Sequence, residues 1–188
     1  MDSAIALATF KALEEKGWAP LTLHHVAEEA GISLEELHKV ATSKEDLMTV
    51  MIAYVEAKTL AYIEKDDEET PQEDRLFDVL FARFEAAGPH KAGLKRLWQD
   101  MKESPTLLRP LMPQFMEALK RLGALGVLDF DGPLGVIQVR LFGLIYLRMF
   151  HVWLEDDSPD LAPTMAETNK AVTRYIPCLF DPSKILSL

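Results

Sequence analysis

The sequence has a single cysteine among its 188 residues, Cys178, so no disulfide can form within one chain. A free thiol is typical of a reducing compartment. The N-terminal segment lacks the basic flank and long apolar run of a signal peptide. We find no uninterrupted apolar run close to the roughly 20 residues that cross a bilayer. These absences predict a soluble protein of the cytoplasm.

Catalytic signatures are also absent from the sequence. It has nine glycines, but none form a phosphate-binding loop or a nucleophile elbow. Its five histidines have no ligand spacing with cysteine or carboxylates, so structural or surface roles are expected and no metal site is predicted. We therefore predict no enzyme activity, no catalytic residues and no cofactor.

Hydrophobic residues make up 48% of the chain, which is enough for a sizeable core. The formal net charge is −10. An acidic protein can still bind DNA, but only where its basic residues gather on one face.

Apolar residues recur almost throughout at helical spacing, and no alternating run typical of a strand occurs. The pattern predicts an all-α fold of about nine helices. We place a small module at residues 1–47 and a larger helical domain at 48–188. The acidic run at 64–69 is expected to be a solvated loop.

Residues 21–47 have the outline of a helix-turn-helix. Thr22 is placed to cap one short helix, and Gly31 can adopt the left-handed backbone that ends it. Ser33 and Glu36 have the spacing of a capping box at the start of the next helix. Ser43 is placed to cap a third. Such a module usually docks on DNA.

This layout resembles the TetR family of bacterial regulators. The residues that carry the resemblance are Ala12-Leu13, Gly17-Trp18, Leu21-Thr22, Val26-Ala27, residues 30–33, Leu37 and residues 43–47. The resemblance implies an N-terminal DNA-binding headpiece and a C-terminal ligand-binding and dimerisation domain. It also implies a homodimer built by the last two helices and a cavity for a small molecule in the middle helices.

On this basis we predict a transcriptional regulator whose binding to double-stranded DNA is controlled by an apolar small molecule. The candidate DNA contacts lie on the helix that begins after Ser33, which is the third helix of the chain, and on its flanks. They are Thr22, Ser33, Glu35, Glu36, His38, Lys39, Thr42 and Lys44.

The charge of the headpiece opposes this prediction. Residues 1–50 contain nine acidic and four basic residues, a net charge of −5, and the first arginine is Arg75. Affinity for duplex DNA comes largely from cations that neutralise phosphates. The third helix also departs from the family pattern, with His38 and Ala41 where a tyrosine and a phenylalanine are usual.

The candidate ligand pocket consists of aromatic and methionine side chains, which suit an adaptable apolar cavity. They are Phe81, Phe84, Trp98, Met101, Met112, Phe115, Met116, Phe142, Tyr146 and Met149. The same residues at helical spacing would equally suit an ordinary core. The helix over 134–154 is apolar on nearly all sides, which indicates either a dimer interface or a fully buried central helix.

A second resemblance supports an alternative function. Residues 74–93 and 153–165 are similar to the lipid-binding accessory proteins of ubiquinone biosynthesis, which have the TetR fold without DNA binding. This resemblance implies a protein that binds an isoprenoid or quinone lipid.

Overall fold

The computed structural model describes residues 2–63 and 71–181, and every regular element within them is helical. The all-α class is confirmed, and the expected nine helices are close to the ten described. The acidic run 64–69 lies outside the described residues. The helices are α1 Asp2–Lys16, α2 Leu23–Ala30, α3 Leu34–His38, α4 Lys44–Tyr62, α5 Gln72–Ala87, α6 Lys91–Glu103, α7 Leu108–Leu125, α8 Gly135–Glu155, α9 Ala162–Lys170 and α10 Pro177–Phe180.

Short turns link several of these helices. Gly88–His90 and Pro105–Leu107 are 3₁₀ turns on either side of α6, and a turn of π-helix, Ala171–Tyr175, continues α9 into α10. Contacts divide the chain into two compact units: Met1–Leu60 with Ala86–Gln114, and Ala61–Glu85 with Phe115–Leu188. The boundary predicted at residue 47 falls inside the first unit.

The first unit is built on a close approach of α1 and α6. A Cβ placed on Gly93 would lie 2.8 Å from the carbonyl oxygen of Phe10, so glycine permits this spacing. The Phe10 ring stacks on His90 with centroids 4.1 Å apart, and Tyr54 meets both rings at an angle. Burial lowers the pKa of His90, as expected for an imidazole held among rings.

The second unit has an aromatic core on the inner face of α8. Phe142 and Trp153 are at most 1% exposed, and Phe84 of α5 stacks on Trp153 with centroids 5.7 Å apart. A Cβ on Gly143 would lie 2.9 Å from the Leu119 side chain, so α7 and α8 approach closely there. Interlocking large and small side chains of this kind give protein interiors their density.

The other face of α8 is apolar and exposed. Ile137, Leu141 and Leu144 recur at helical spacing and are 55%, 42% and 64% exposed. By length and composition alone, α8 could cross a membrane, and a third of its most apolar stretch is buried in the protein. The expectation that no segment is long and apolar enough is therefore corrected for α8. One such helix is weak evidence for a membrane protein, because the core helix of a globular protein has the same properties.

Asp156 fastens the end of α8 to the start of α9. One carboxylate oxygen accepts hydrogen bonds from the backbone and hydroxyl of Ser158, and the other accepts from the backbone (3.0 Å) and hydroxyl (2.5 Å) of Thr164. The side chain is 4% exposed. Burial alone would raise the pKa of Asp156, but these hydrogen bonds outweigh it and lower the pKa to about 2. The carboxylate thus satisfies backbone amides at a helix start that has no side-chain cap of its own.

We expect Asp156→Asn to lower the free energy of unfolding by about 2 kcal/mol at neutral pH, because an amide cannot accept all of these bonds. The folded pKa lies below the ordinary value of 3.8, so the carboxylate stabilises the fold above that value and loses this effect as pH falls toward 2. Denaturant titrations should therefore show the difference between wild type and variant shrinking with acidification. Asp160→Asn makes the same change at an exposed carboxylate that accepts a single 3.3 Å bond, and is the control. Equal losses in both variants would contradict the assignment.

Candidate nucleic-acid interface and ligand site

Helix α2 has a defined cap at each end. Thr22 accepts a hydrogen bond from the backbone N–H of His25, and the His25 ring accepts one from the backbone of Thr22. At the other end Gly31 adopts φ 67°, the left-handed conformation, and the N–H of Ile32 bonds the Ala27 carbonyl. This geometry ends α2 and turns the chain into α3.

Helix α3 begins with the predicted capping box. The hydroxyl of Ser33 accepts from the backbone N–H of Glu36 at 3.1 Å, and the Glu36 carboxylate accepts from the Ser33 backbone and hydroxyl, both at 2.9 Å. These bonds from Ser33 lower the pKa of Glu36. The Glu36 carboxylate therefore turns back on its own helix and satisfies a backbone donor.

The start of α4 uses Asp46 in the same way. Its carboxylate accepts from the backbone (2.8 Å) and hydroxyl (2.9 Å) of Thr42 and from the backbone of Ser43 (2.9 Å). These hydrogen bonds, those from Thr42 first, lower the pKa of Asp46. Two of the acids that make the headpiece negative are thus helix caps.

The Lys44 side chain contacts the turn that follows α1, within the first unit. Its ammonium donates to the backbone carbonyls of Trp18 at 2.5 Å and Ala19 at 3.1 Å, and it lies 5.2 Å from the centroid of the Trp18 ring. Burial lowers the pKa of Lys44. The N–H of Trp18 in turn donates to Asp100 of α6 at 2.5 Å. Lys44 thereby ties the start of α4 to the turn after α1.

The exposed face of α3 is small. Leu37 is fully buried and anchors the helix, whereas Leu34 is 39% exposed. Glu35, His38 and Lys39 are exposed beside the caps. All eight predicted DNA contacts therefore lie on the α2–α4 module: Thr22, Ser33, Glu36 and Thr42 in caps, Lys44 against Trp18, and Glu35, His38 and Lys39 on the open face.

The ten predicted pocket residues are divided between the two units. Trp98, Met101 and Met112 belong to the first unit. The seven in the second unit are Phe81, Phe84, Phe115, Met116, Phe142, Tyr146 and Met149. Within the second unit, Tyr146 stacks on Phe84 and lies beside Phe115, with centroids 5.8 and 6.1 Å away.

Sequence reasoning missed one polar residue in this aromatic cluster. Arg83 is 8% exposed, and its Nε donates to the hydroxyl of Tyr146 at 3.2 Å. Helical spacing could have predicted its burial, because Arg83 is three residues after Leu80 and four after Val79, on the buried face of α5.

A separate groove of about 440 Å³ lies on the surface between α5 and α9. It is lined by Glu73, Asp74, Phe77, Met165, Ala166, Asn169, Val172 and Thr173. None of the predicted pocket residues lines this groove.

The histidines do not combine into a metal site in the structure. His24 lies 3.3 Å from Glu28, His25 caps α2, and His90 stacks on Phe10. In residues 2–63 and 71–181, no three His, Cys, Asp or Glu side chains group so as to hold a metal ion.

Comparison with known proteins identifies the fold. The structure is similar to the crystal structure of a TetR transcriptional regulator from Nitrosomonas europaea ATCC 19718, with a TM-score of 0.69. The match covers 92% of this chain and 96% of that chain at 15% sequence identity. No family model and no curated protein matches the sequence. The chain therefore has the TetR fold, and the predicted resemblance to that family is confirmed at the level of the fold.

We expect Lys44→Met to lower the free energy of unfolding by about 1–2 kcal/mol, because two carbonyls then lose a charged donor. Lys39→Met removes the same charge from an exposed position and should change stability by less than about 0.5 kcal/mol. Thermal and denaturant unfolding of both variants provide the measurement. A stable Lys44 variant would show that the contacts with Trp18 and Ala19 contribute little.

Proposed function

We propose that the protein is a transcriptional regulator of the cytoplasm that binds double-stranded DNA through α2, α3 and the start of α4. The observation that carries the proposal is the capped helix-turn-helix, in which buried Leu37 anchors α3 and leaves Glu35, His38 and Lys39 on one open face. The TetR fold of the chain supports it, since the structurally similar protein is a TetR transcriptional regulator.

The capping geometry reduces the objection raised by the charge of the headpiece. The carboxylates of Glu36 and Asp46 accept backbone N–H groups, so neither is a free charge directed at a groove. Glu35 remains exposed beside Lys39. A carboxylate at that position is compatible with a groove where it accepts from the amino group of cytosine.

DNA binding is tested by fluorescence anisotropy with the duplex upstream of the protein's own gene, over a series of salt concentrations. We expect affinity to fall steeply with salt, and Lys39→Met to reduce the slope of log K against log salt by about one. Lys44→Met, whose charge is engaged by Trp18 and Ala19, should leave the slope nearly unchanged. If no duplex binds even in dilute buffer, the regulatory role is rejected.

The charge of the N-terminal residues supports a second candidate function. Residues 1–50 contain no arginine and have a net charge of −5. A lipid-binding protein of this fold, holding an isoprenoid or quinone in the second unit without reading DNA, fits that charge. Native mass spectrometry of the purified protein would favour this function if it shows a bound lipid where anisotropy shows no DNA binding.

We further propose that the regulator is a homodimer through the exposed face of α8. Ile137, Leu141 and Leu144 form a continuous apolar stripe at one end of that helix. Arg148, further along the same helix, pairs with Glu167 of α9, which places a polar border beside the stripe. An apolar centre with a polar rim is the usual anatomy of an interface.

Leu144→Glu should convert the dimer to a monomer, because it places a charge within the stripe. Sedimentation velocity measures the change, and circular dichroism confirms that the helices remain. Met165→Glu, at a 42% exposed position of α9, tests whether the interface extends to that helix. A wild-type monomer at micromolar concentration would exclude this dimer.

A further inference from the structure

Arg83 is a buried cation with no counter-ion among residues 2–63 and 71–181. The residue is 8% exposed, and its Nη1 is fully buried with no hydrogen-bond partner. Within the described chain, its hydrogen bond goes to the neutral hydroxyl of Tyr146. Burying an unpaired charge is strongly unfavourable, and most buried arginines are paired with carboxylates. The fold thus retains a costly group that the packing of the second unit does not explain.

The surroundings of Arg83 are aromatic. Tyr146, its partner, stacks on Phe84 and lies beside Phe115, and Phe84 stacks on Trp153. A few polar groups set in apolar walls are characteristic of sites for small molecules. Phe115 is half-buried, so this edge of the cluster meets solvent.

We propose that Arg83 and Tyr146 bind the carboxylate of an amphipathic ligand whose apolar body lies against Phe84, Phe115 and Trp153. The inference rests on the proposed regulatory function, for which the sequence predicts control by a small-molecule effector, and it names the chemical class of that effector. A single carboxylate neutralises the guanidinium and can accept two parallel N–H bonds from it. An uncharged lipid would leave the cation unpaired, and a phosphate dianion would leave a negative charge in an apolar interior.

The test measures thermal unfolding and calorimetric binding with dodecanoate, and with dodecanol as the uncharged probe of equal length, both below micelle formation. We expect dodecanoate to raise the Tm of the wild-type protein and dodecanol to have little effect. Arg83→Met should weaken dodecanoate binding at least tenfold. The unliganded variant should unfold at the same temperature as wild type or higher, because the buried charge has been replaced by an apolar side chain of similar length.

Two further variants complete this experiment, one as a control and one as a second test of the site. Arg109→Met makes the same change at an exposed position and should bind dodecanoate as wild type does. Tyr146→Phe keeps the ring and removes the hydroxyl, so it should fold normally and bind dodecanoate more weakly by about threefold to tenfold.

The proposal is overturned if carboxylates of eight to sixteen carbons give no stabilisation, or if dodecanoate and dodecanol act alike. It is also overturned if Arg83→Met or Tyr146→Phe binds dodecanoate as tightly as wild type. A Tm of unliganded Arg83→Met far below wild type, with Tyr146→Phe binding unchanged, would assign Arg83 to the fold instead. None of these measurements involves DNA, so their failure is distinct from failure of the proposed regulatory role.

Discussion

Unsatisfied backbone groups at the ends of short helices are the constraint on which the headpiece depends. Helices of five to eight residues leave half or more of their N–H groups without an intrahelical partner, and isolated helices of that length are unstable in water. The chain meets this demand with side chains: Thr22 with His25, Ser33 with Glu36, and Asp46 with Thr42 and Ser43. The α2–α4 module is therefore stabilised by polar side chains that are engaged by its own backbone.

These capping bonds also bear on the acidic charge of residues 1–50. Counted along the sequence, carboxylates near α3 oppose binding to a polyanion. In the structure, Glu36 and Asp46 face backbone N–H groups, and their lowered pKa values reflect those bonds. The Lys44 charge is likewise turned inward, onto Trp18 and Ala19. These side chains keep their charges but are held by the protein's own backbone, so fewer charged groups of either sign are left for a partner than the composition indicates. The same face therefore fits both proposed functions.

A different constraint applies to the second unit, whose core of large aromatic rings also contains buried polar groups. The buried Asp156 carboxylate accepts hydrogen bonds from Ser158 and Thr164, and these bonds outweigh the unfavourable effect of its burial. Arg83 has the neutral Tyr146 hydroxyl and an unpartnered Nη1. The contrast between this satisfied anion and a cation with no described counter-ion in the same unit is the basis of the proposed carboxylate ligand.

Sequence alone determined the helical class, the caps at Ser33 and Thr22, and the turn at Gly31, because these depend on periodicity and on residues at most four positions apart. Tertiary structure decided what depends on residues far apart in the chain. It placed Lys44 on Trp18, buried Arg83 beside Tyr146, joined Asp156 to Thr164, and divided the predicted pocket residues between two units. Local spacing specifies which face a side chain occupies on its own helix, but the partner on that face is set only when distant helices pack together.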